Sequence, residues 1–216
     1  MAARRLTALC ALAVVPALAA CGSKPDDLGD PGSAAKPEKL VVAKYPKAGM
    51  TFKVPANWRR TPGTYPRVTT LSSGEALLAI WAYRRNEPAP PNKAALKSAK
   101  TRLVKRIKQR NKRFDVSVSH TRTIAGRPAL EVSGVQTIAG VPFKTRSIHI
   151  FKRDGEYVFE ALAPAKQFNT LEKGVLKPVL ASIKLTGKVK KPEEPKKKKK
   201  SKTKKGEKKE KKDPDG

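Results

Sequence analysis

Ala76-Leu77-Leu78-Ala79-Ile80-Trp81-Ala82-Tyr83 is apolar or aromatic at every position. In an extended chain both alternating faces would then be hydrophobic, which predicts a strand in the middle of its sheet and covered on both sides. Just before it, Ser72-Ser73-Gly74-Glu75 reads as a hairpin turn that joins this strand to one over residues 67–71, rich in β-branched and aliphatic side chains. Residues 50–54 read as an opening strand ended by Pro55, after which Ala56-Asn57 turns the chain so that Trp58 packs back.

On the C-terminal side, three prolines between Glu87 and Asn92 precede a helix predicted over residues 93–109. Leu96, Ala99, Leu103 and Ile107 recur at helical spacing and form one narrow apolar stripe. The rest of that helix is basic, and no acid occurs between Glu87 and Asp115. Four further strands are expected at residues 115–124, 127–137, 141–152 and 156–163. Their joints are Ala125-Gly126, Ala139-Gly140 and Asp154-Gly155, which together predict an antiparallel meander. A second helix is expected from Asn169, with Asn169 capping it and Glu172 closing a capping box, and Pro178 should kink or split it. The fold class is therefore α+β, an antiparallel sheet with two helices packed on it.

Several local patterns resemble the PsbP-like family over about residues 49–185. They are Gly49-Met50-Thr51-Phe52-Lys53-Val54-Pro55-Ala56-Asn57-Trp58, Ile124-Ala125-Gly126-Arg127-Pro128-Ala129, and Tyr157-Val158-Phe159 followed by Ala163-Pro164, Phe168 and Ala181-Ser182-Ile183. The resemblance implies an α/β/α sandwich, the fold shared by a photosystem II extrinsic protein, a Ran-binding import factor and bacterial lipoproteins of the LpqN type. Each motif has a packing role, so the resemblance carries no functional residue over to this chain.

Location is set by another stretch. Arg4 and Arg5 precede an uncharged apolar run from Leu6 to Ala20, which is 15 residues long and contains Pro16. That is short of the roughly 20 residues a membrane-spanning helix needs, and it reads as a secretory leader. Leu18-Ala19-Ala20-Cys21 resembles a lipobox, in which small side chains admit the backbone to a peptidase and the cysteine thiolate receives a diacylglyceryl group. Cys10 is preceded by bulky Leu9 and does not qualify. The expected organisation is a signal peptide over residues 1–20, a lipidated flexible tether over 21–45, the folded domain over 46–187 and a Lys-rich tail over 188–216. Anchoring on Cys21 through fatty acyl chains such as palmitate would place the protein on the extracytoplasmic face of the cell membrane. It would also leave the folded part without a thiol, which excludes disulfides and thiolate zinc sites there.

The chain carries 48 Lys+Arg against 18 Asp+Glu, a net charge of +30. Residues 40–187 alone are net +20 and residues 188–216 net +9, so the basic character belongs to the domain as well as the tail. Such a field draws in anionic partners. For an exported chain these are lipid headgroups and cell-wall polymers, and nucleic acid is disfavoured. The positions expected to meet them are the pentalysine Lys196, Lys197, Lys198, Lys199 and Lys200, together with Lys97, Arg102, Lys105 and Arg106 on the basic helix. A protein or small-molecule ligand of the folded domain is left open.

Catalytic signals are sparse. His120 and His149 are the sole histidines. His149 lies between Ile148 and Ile150 and shares a strand face with Phe143 and Phe151, so a packed or edge histidine is the first reading. An envelope-polymer hydrolase or transferase would need His149 to meet a serine such as Ser147 or Ser133 and a carboxylate such as Asp154 or Glu160. No phosphate-cradling glycine loop and no metal-ligand spacing is present, and no cofactor is implied. The expectation is a non-enzymatic binding or scaffold protein.

Overall fold

The apolar run becomes an inner strand of a seven-stranded antiparallel sheet in the computed structural model, which describes residues 32–190. The leader, Cys21 and the pentalysine lie outside the described residues. In chain order the elements are β1 (Leu40–Tyr45), β2 (Met50–Pro55), β3 (Arg59–Pro62), β4 (Arg67–Ser73), β5 (Ala76–Arg84), α1 (Lys93–Arg110), β6 (Asp115–Ile124), β7 (Arg127–Ile138), β8 (Val141–Lys152), β9 (Gly155–Pro164), α2 (Phe168–Leu171), α3 (Lys177–Ser182) and β10 (Lys184–Leu185). The large sheet runs β3-β4-β5-β9-β8-β7-β6, and β1-β2-β10 form a second, three-stranded sheet.

The chain enters the large sheet at one side through β3, β4 and β5, crosses by α1 to the far edge, and returns as the β6-to-β9 meander until β9 closes against β5. Two turns of the meander need left-handed backbone. Ala125 (φ 50°) with Gly126 (φ 68°), and Ala139 (φ 48°) with Gly140 (φ 83°), form tight two-residue connections whose twist matches the strands. At the third joint Lys152 pairs with Gly155, so the loop is Arg153-Asp154 and Gly155 already belongs to β9. The Asp154-Gly155 pair expected to make the turn is thus displaced by one residue.

One face of the large sheet packs on the small sheet and the C-terminal helices. Phe52, Val54, Leu78, Ile80, Tyr157, Phe159, Leu171, Val175 and Val179 are buried in that layer, with Tyr45 stacked on Phe52 at 5.1 Å. The buried hydroxyl of Tyr157 has no hydrogen-bond partner among the described residues, and burial pushes its pKa up to about 12. The other face carries α1, whose Leu96, Ala99 and Leu103 pack on Leu130 and Phe151. Coverage of β5 is therefore unequal: Leu78 and Ile80 are buried, whereas Leu77 and Trp81 are half-buried and Tyr83 is exposed.

Several sequence expectations change. Residues 40–45, read as tether, form β1, which pairs along its length with β2. Ordered contacts begin still earlier: Ala34 N–H donates to Gln167 Oε1 at 3.0 Å, and Trp58 Nε1–H donates to the Ala35 carbonyl at 3.2 Å. At the other end Val189 is buried and Lys190 N–H donates to the Lys47 carbonyl at 3.0 Å, so the ordered chain passes the expected boundary at residue 187. Gly49 and Gly187 allow this closure. A Cβ on Gly49, whose φ is +63°, would lie 2.5 Å from the Gly187 backbone.

The second helix starts at Phe168 behind Gln167, without a side-chain cap. Asn169 is inside it, and Glu172 is engaged elsewhere. The helix continues through a π-turn at Glu172–Leu176, where Lys177 N–H bonds the Glu172 carbonyl, directly ahead of Pro178. A widened turn is the place at which a helix absorbs a proline that cannot donate.

An ionic network fastens this helix to the sheet. Glu131 is 3 % exposed at its side chain and faces both Arg122 and Arg146, the latter at 3.3 Å. Arg146 also reaches Glu172 Oε1 at 2.7 Å and Ser133 Oγ at 3.2 Å, and its guanidinium lies 6.0 Å from the Phe168 ring.

Candidate functional site

On the α1 side of the sheet, β8 presents Phe143, Thr145, Ser147, His149 and Phe151 on one face. His149 is half-buried there and makes two hydrogen bonds. Its Nε2 lies 3.1 Å from Ser147 Oγ, and its Nδ1 lies 2.7 Å from Glu156 Oε1. With Glu156 ionised, Nδ1 carries the proton and donates to the carboxylate, and Nε2 accepts from the serine hydroxyl. Glu156 Oε2 takes a further bond from Arg85 at 2.7 Å, and Arg85 stands 5.1 Å over the Phe151 ring.

Of the expected partners, Ser147 meets His149. Ser133 faces the opposite side and accepts from Arg146, while Asp154 and Glu160 make no hydrogen bond to the imidazole. Glu156, which the sequence reading missed, supplies the carboxylate. The strand register pairs Phe151 with Glu156 and His149 with Val158, which makes Glu156 the diagonal neighbour of His149. A Ser-x-His run followed seven residues later by Glu, across a two-residue turn, is the signal that could have located it.

The Ser147–His149–Glu156 chain has the connectivity of nucleophile, base and carboxylate. It lacks a place for the oxyanion: Ser147 sits mid-strand and pairs with Val132 on one side and Glu160 on the other, so the neighbouring N–H groups belong to the sheet ladder. Ser147 is also buried. The arrangement is well suited to tying β8 to β9. Among the described residues, no group of three or more His, Cys, Asp or Glu side chains is placed to hold a metal ion.

Two carboxylates four residues apart on β9 are shifted in opposite directions. Burial would raise the Glu156 pKa, but its bonds and charge contacts with His149 and Arg85 outweigh burial and hold it below the ordinary carboxylate range. Burial raises Glu160, with His149 opposing only in part. Glu156 therefore stabilises the fold above the ordinary carboxylate range and loses that effect as pH falls through its depressed pKa. Glu160 does the reverse: its ionisation costs stability as pH rises through its elevated pKa. Thermal melts from about pH 3 to 7 should show Glu160→Gln gaining on the wild type as pH rises above the ordinary carboxylate range, and Glu156→Gln losing ground as pH rises from the acid end into that range, with no further change above it. Parallel curves would contradict the assignment.

The basic helix is the second feature. Asn92 caps α1 by accepting from Ala95 N–H at 2.9 Å, and the helix then runs 18 residues without an acid. Lys97, Arg102, Lys105 and Arg106 are all exposed, as expected, and none of the eight cations of α1 has a carboxylate within salt-bridge distance among the described residues. Among the described residues, no helix is long and apolar enough to cross a membrane.

No protein-family model and no curated protein matches the sequence. Solved structures do match the fold. The solution structure of cyanobacterial PsbP (CyanoP) from Synechocystis sp. PCC 6803 aligns with a TM-score of 0.51 at 12% identity, over 73% of this chain and 98% of that one. The chain has a PsbP-like fold. The crystal structure of LpqN, involved in cell envelope biogenesis of Mycobacterium tuberculosis, aligns with a TM-score of 0.50 at 15% identity, over 74% and 88% of the two chains. At these identities the likeness concerns the PsbP-like architecture alone, and the sites above belong to this chain.

Proposed function

We propose that this protein is an exported, lipid-anchored, non-enzymatic binding protein of the bacterial cell envelope, which holds anionic envelope polymers or lipid headgroups through its basic surface and Lys-rich tail. The observation that carries the reading is the unpaired charge of α1. Eight cations without a carboxylate partner among the described residues repel one another, and a polyanion is what relieves that repulsion. The leader and lipobox direct the search to envelope polyanions, and the envelope role of LpqN, which shares the fold, agrees with it. A hydrolase reading has the Ser147–His149–Glu156 chain in its favour and the absence of free oxyanion donors beside Ser147 against it.

Binding should be electrostatic. Each lysine near an anionic surface contributes on the order of 1 kcal/mol, within a screening length of about 8 Å at physiological salt. Titrating the protein with anionic vesicles or isolated wall polymer at increasing salt should give a steep loss of affinity. Deleting residues 191–216, which starts beyond the buried Val189, should flatten that slope, and an additional Lys97/Arg102/Lys105/Arg106→Ser variant should flatten it further. A slope unchanged by both would refute the reading.

A further inference from the structure

Beside Val189 and Lys190 lies a cleft of about 850 Å³, within the size range of small-ligand sites. It opens between the β1-to-β2 connection and the loop from β3 to β4. Ala48, Ala82 and Val189 form buried parts of its lining, and Tyr45 and Tyr65 bring aromatic rings to it. Four exposed cations, Lys44, Lys47, Arg67 and Lys190, stand around it. The lining contains no Asp or Glu, and none of these four cations forms an ion pair among the described residues.

The walls are held in place. Gly63 N–H bonds the Val68 carbonyl at 3.0 Å, Arg67 N–H bonds the Thr64 carbonyl at 2.9 Å, and Ala82 N–H bonds the Pro66 carbonyl at 2.9 Å. Tyr65 is 44% exposed, yet its hydroxyl accepts from Arg84 N–H at 3.3 Å, which fixes the ring while leaving much of it open. On the opposite wall Tyr45 is braced by its stack on Phe52. The C-terminal segment is tied down by the Lys190-to-Lys47 bond, by two N–H groups on the Gly49 carbonyl, and by Lys152 Nζ, which reaches the carbonyls of Leu185 and Gly187.

We propose that this cleft binds a phosphorylated sugar unit of an anionic glycan, the ring lying against Tyr65 and the phosphate among Lys44, Lys47 and Arg67. This rests on the polyanion reading above and names where one unit of such a polymer would be recognised. A preordered aromatic ring offers an apolar face to a sugar with little entropy left to lose, and an arginine fork matches a phosphate. Reading an adenine edge would call for an amide side chain, and among the described residues the lining holds no Asn or Gln. The pentalysine begins six residues after Lys190, so the tail's charge starts within about 20 Å of the cleft by chain length alone. A single polymer can therefore meet both.

The test uses the full chain and two soluble probes: short oligomers of N-acetylglucosamine 1-phosphate, and polyphosphate of matched charge, which has no ring. Tyr65→Ala should weaken sugar-phosphate binding about tenfold and leave polyphosphate binding unchanged. Lys44→Ser with Arg67→Ser, at exposed positions without ion pairs, should weaken both, and keeps the test open if Tyr65→Ala does not fold. If the wild type binds neither probe, the polyanion reading falls and the cleft with it. If it binds both but the cleft variants behave as wild type, or adenosine monophosphate competes better than the sugar phosphate, only the cleft assignment is overturned.

Discussion

Arg146→Ala should cost about 3–5 kcal/mol of stability, the usual penalty for removing one partner of a buried charged set. For a body of this size that corresponds to a fall of roughly 10 °C in Tm. The size of the effect follows from what the guanidinium joins: Glu131 on β7, Glu172 on the C-terminal helix, Ser133 and the face of Phe168. After its removal Glu131, 3 % exposed, keeps Arg122 alone, and Arg122 is 52% exposed, where water screens the pair. Glu172 keeps Lys177 at 3.4 Å, itself 62% exposed. Neither remaining cation spans the sheet-to-helix junction.

The control is Arg146→Lys. An ammonium is a single point charge without the planar fork that serves two carboxylates at once, so the loss should be intermediate. Replacing Glu131, Arg146 and Glu172 together by apolar residues is a different experiment and could be close to neutral, because the desolvation cost disappears with the charges. A Tm within about 2 °C of wild type for Arg146→Ala would show that the junction is held by apolar packing, chiefly Leu171, Val175 and Val179, and that the charges are incidental.

What could be read in the chain beforehand divides along the same line between local and distant causes. The β5 run, the α1 stripe and the turns at Ala125-Gly126 and Ala139-Gly140 are specified by neighbours in sequence, and they form where expected. β1 is not specified locally. Most of its side chains are not buried, with Ala43 the exception, and its place depends on pairing with β2 and on the Tyr45–Phe52 stack. Val189 is one apolar residue beside a lysine-rich run, and its burial depends on Gly49 and Gly187 approaching across the fold. Glu172 sits where a capping box would use it, but a guanidinium 26 residues away takes it instead. The candidate site behaves alike: Ser147 and His149 share a face by simple alternation, whereas Glu156 depends on a turn register that one residue of slip would change.

Cys21→Ser should move the protein from the membrane fraction to the soluble one, and the salt dependence of that release is the informative part. Two acyl chains hold stably because each buried CH₂ contributes about 0.8 kcal/mol, an apolar contribution that salt does not screen. The basic surface and tail attract anionic headgroups by a term that salt does screen. Wild-type protein should therefore resist a wash at about 1 M salt, where the screening length is near 3 Å, and leave only with detergent. The Cys21→Ser protein should remain partly bound at low salt through its lysines and come off completely in the same wash. Cys10→Ser should match wild type, since that residue is preceded by Leu9 and lies within the expected leader. Salt-resistant membrane binding by Cys21→Ser, or an unmodified amino terminus upstream of residue 21, would overturn the anchor. The net charge of +30 would then face intracellular polyanions, with nucleic acid the first to test.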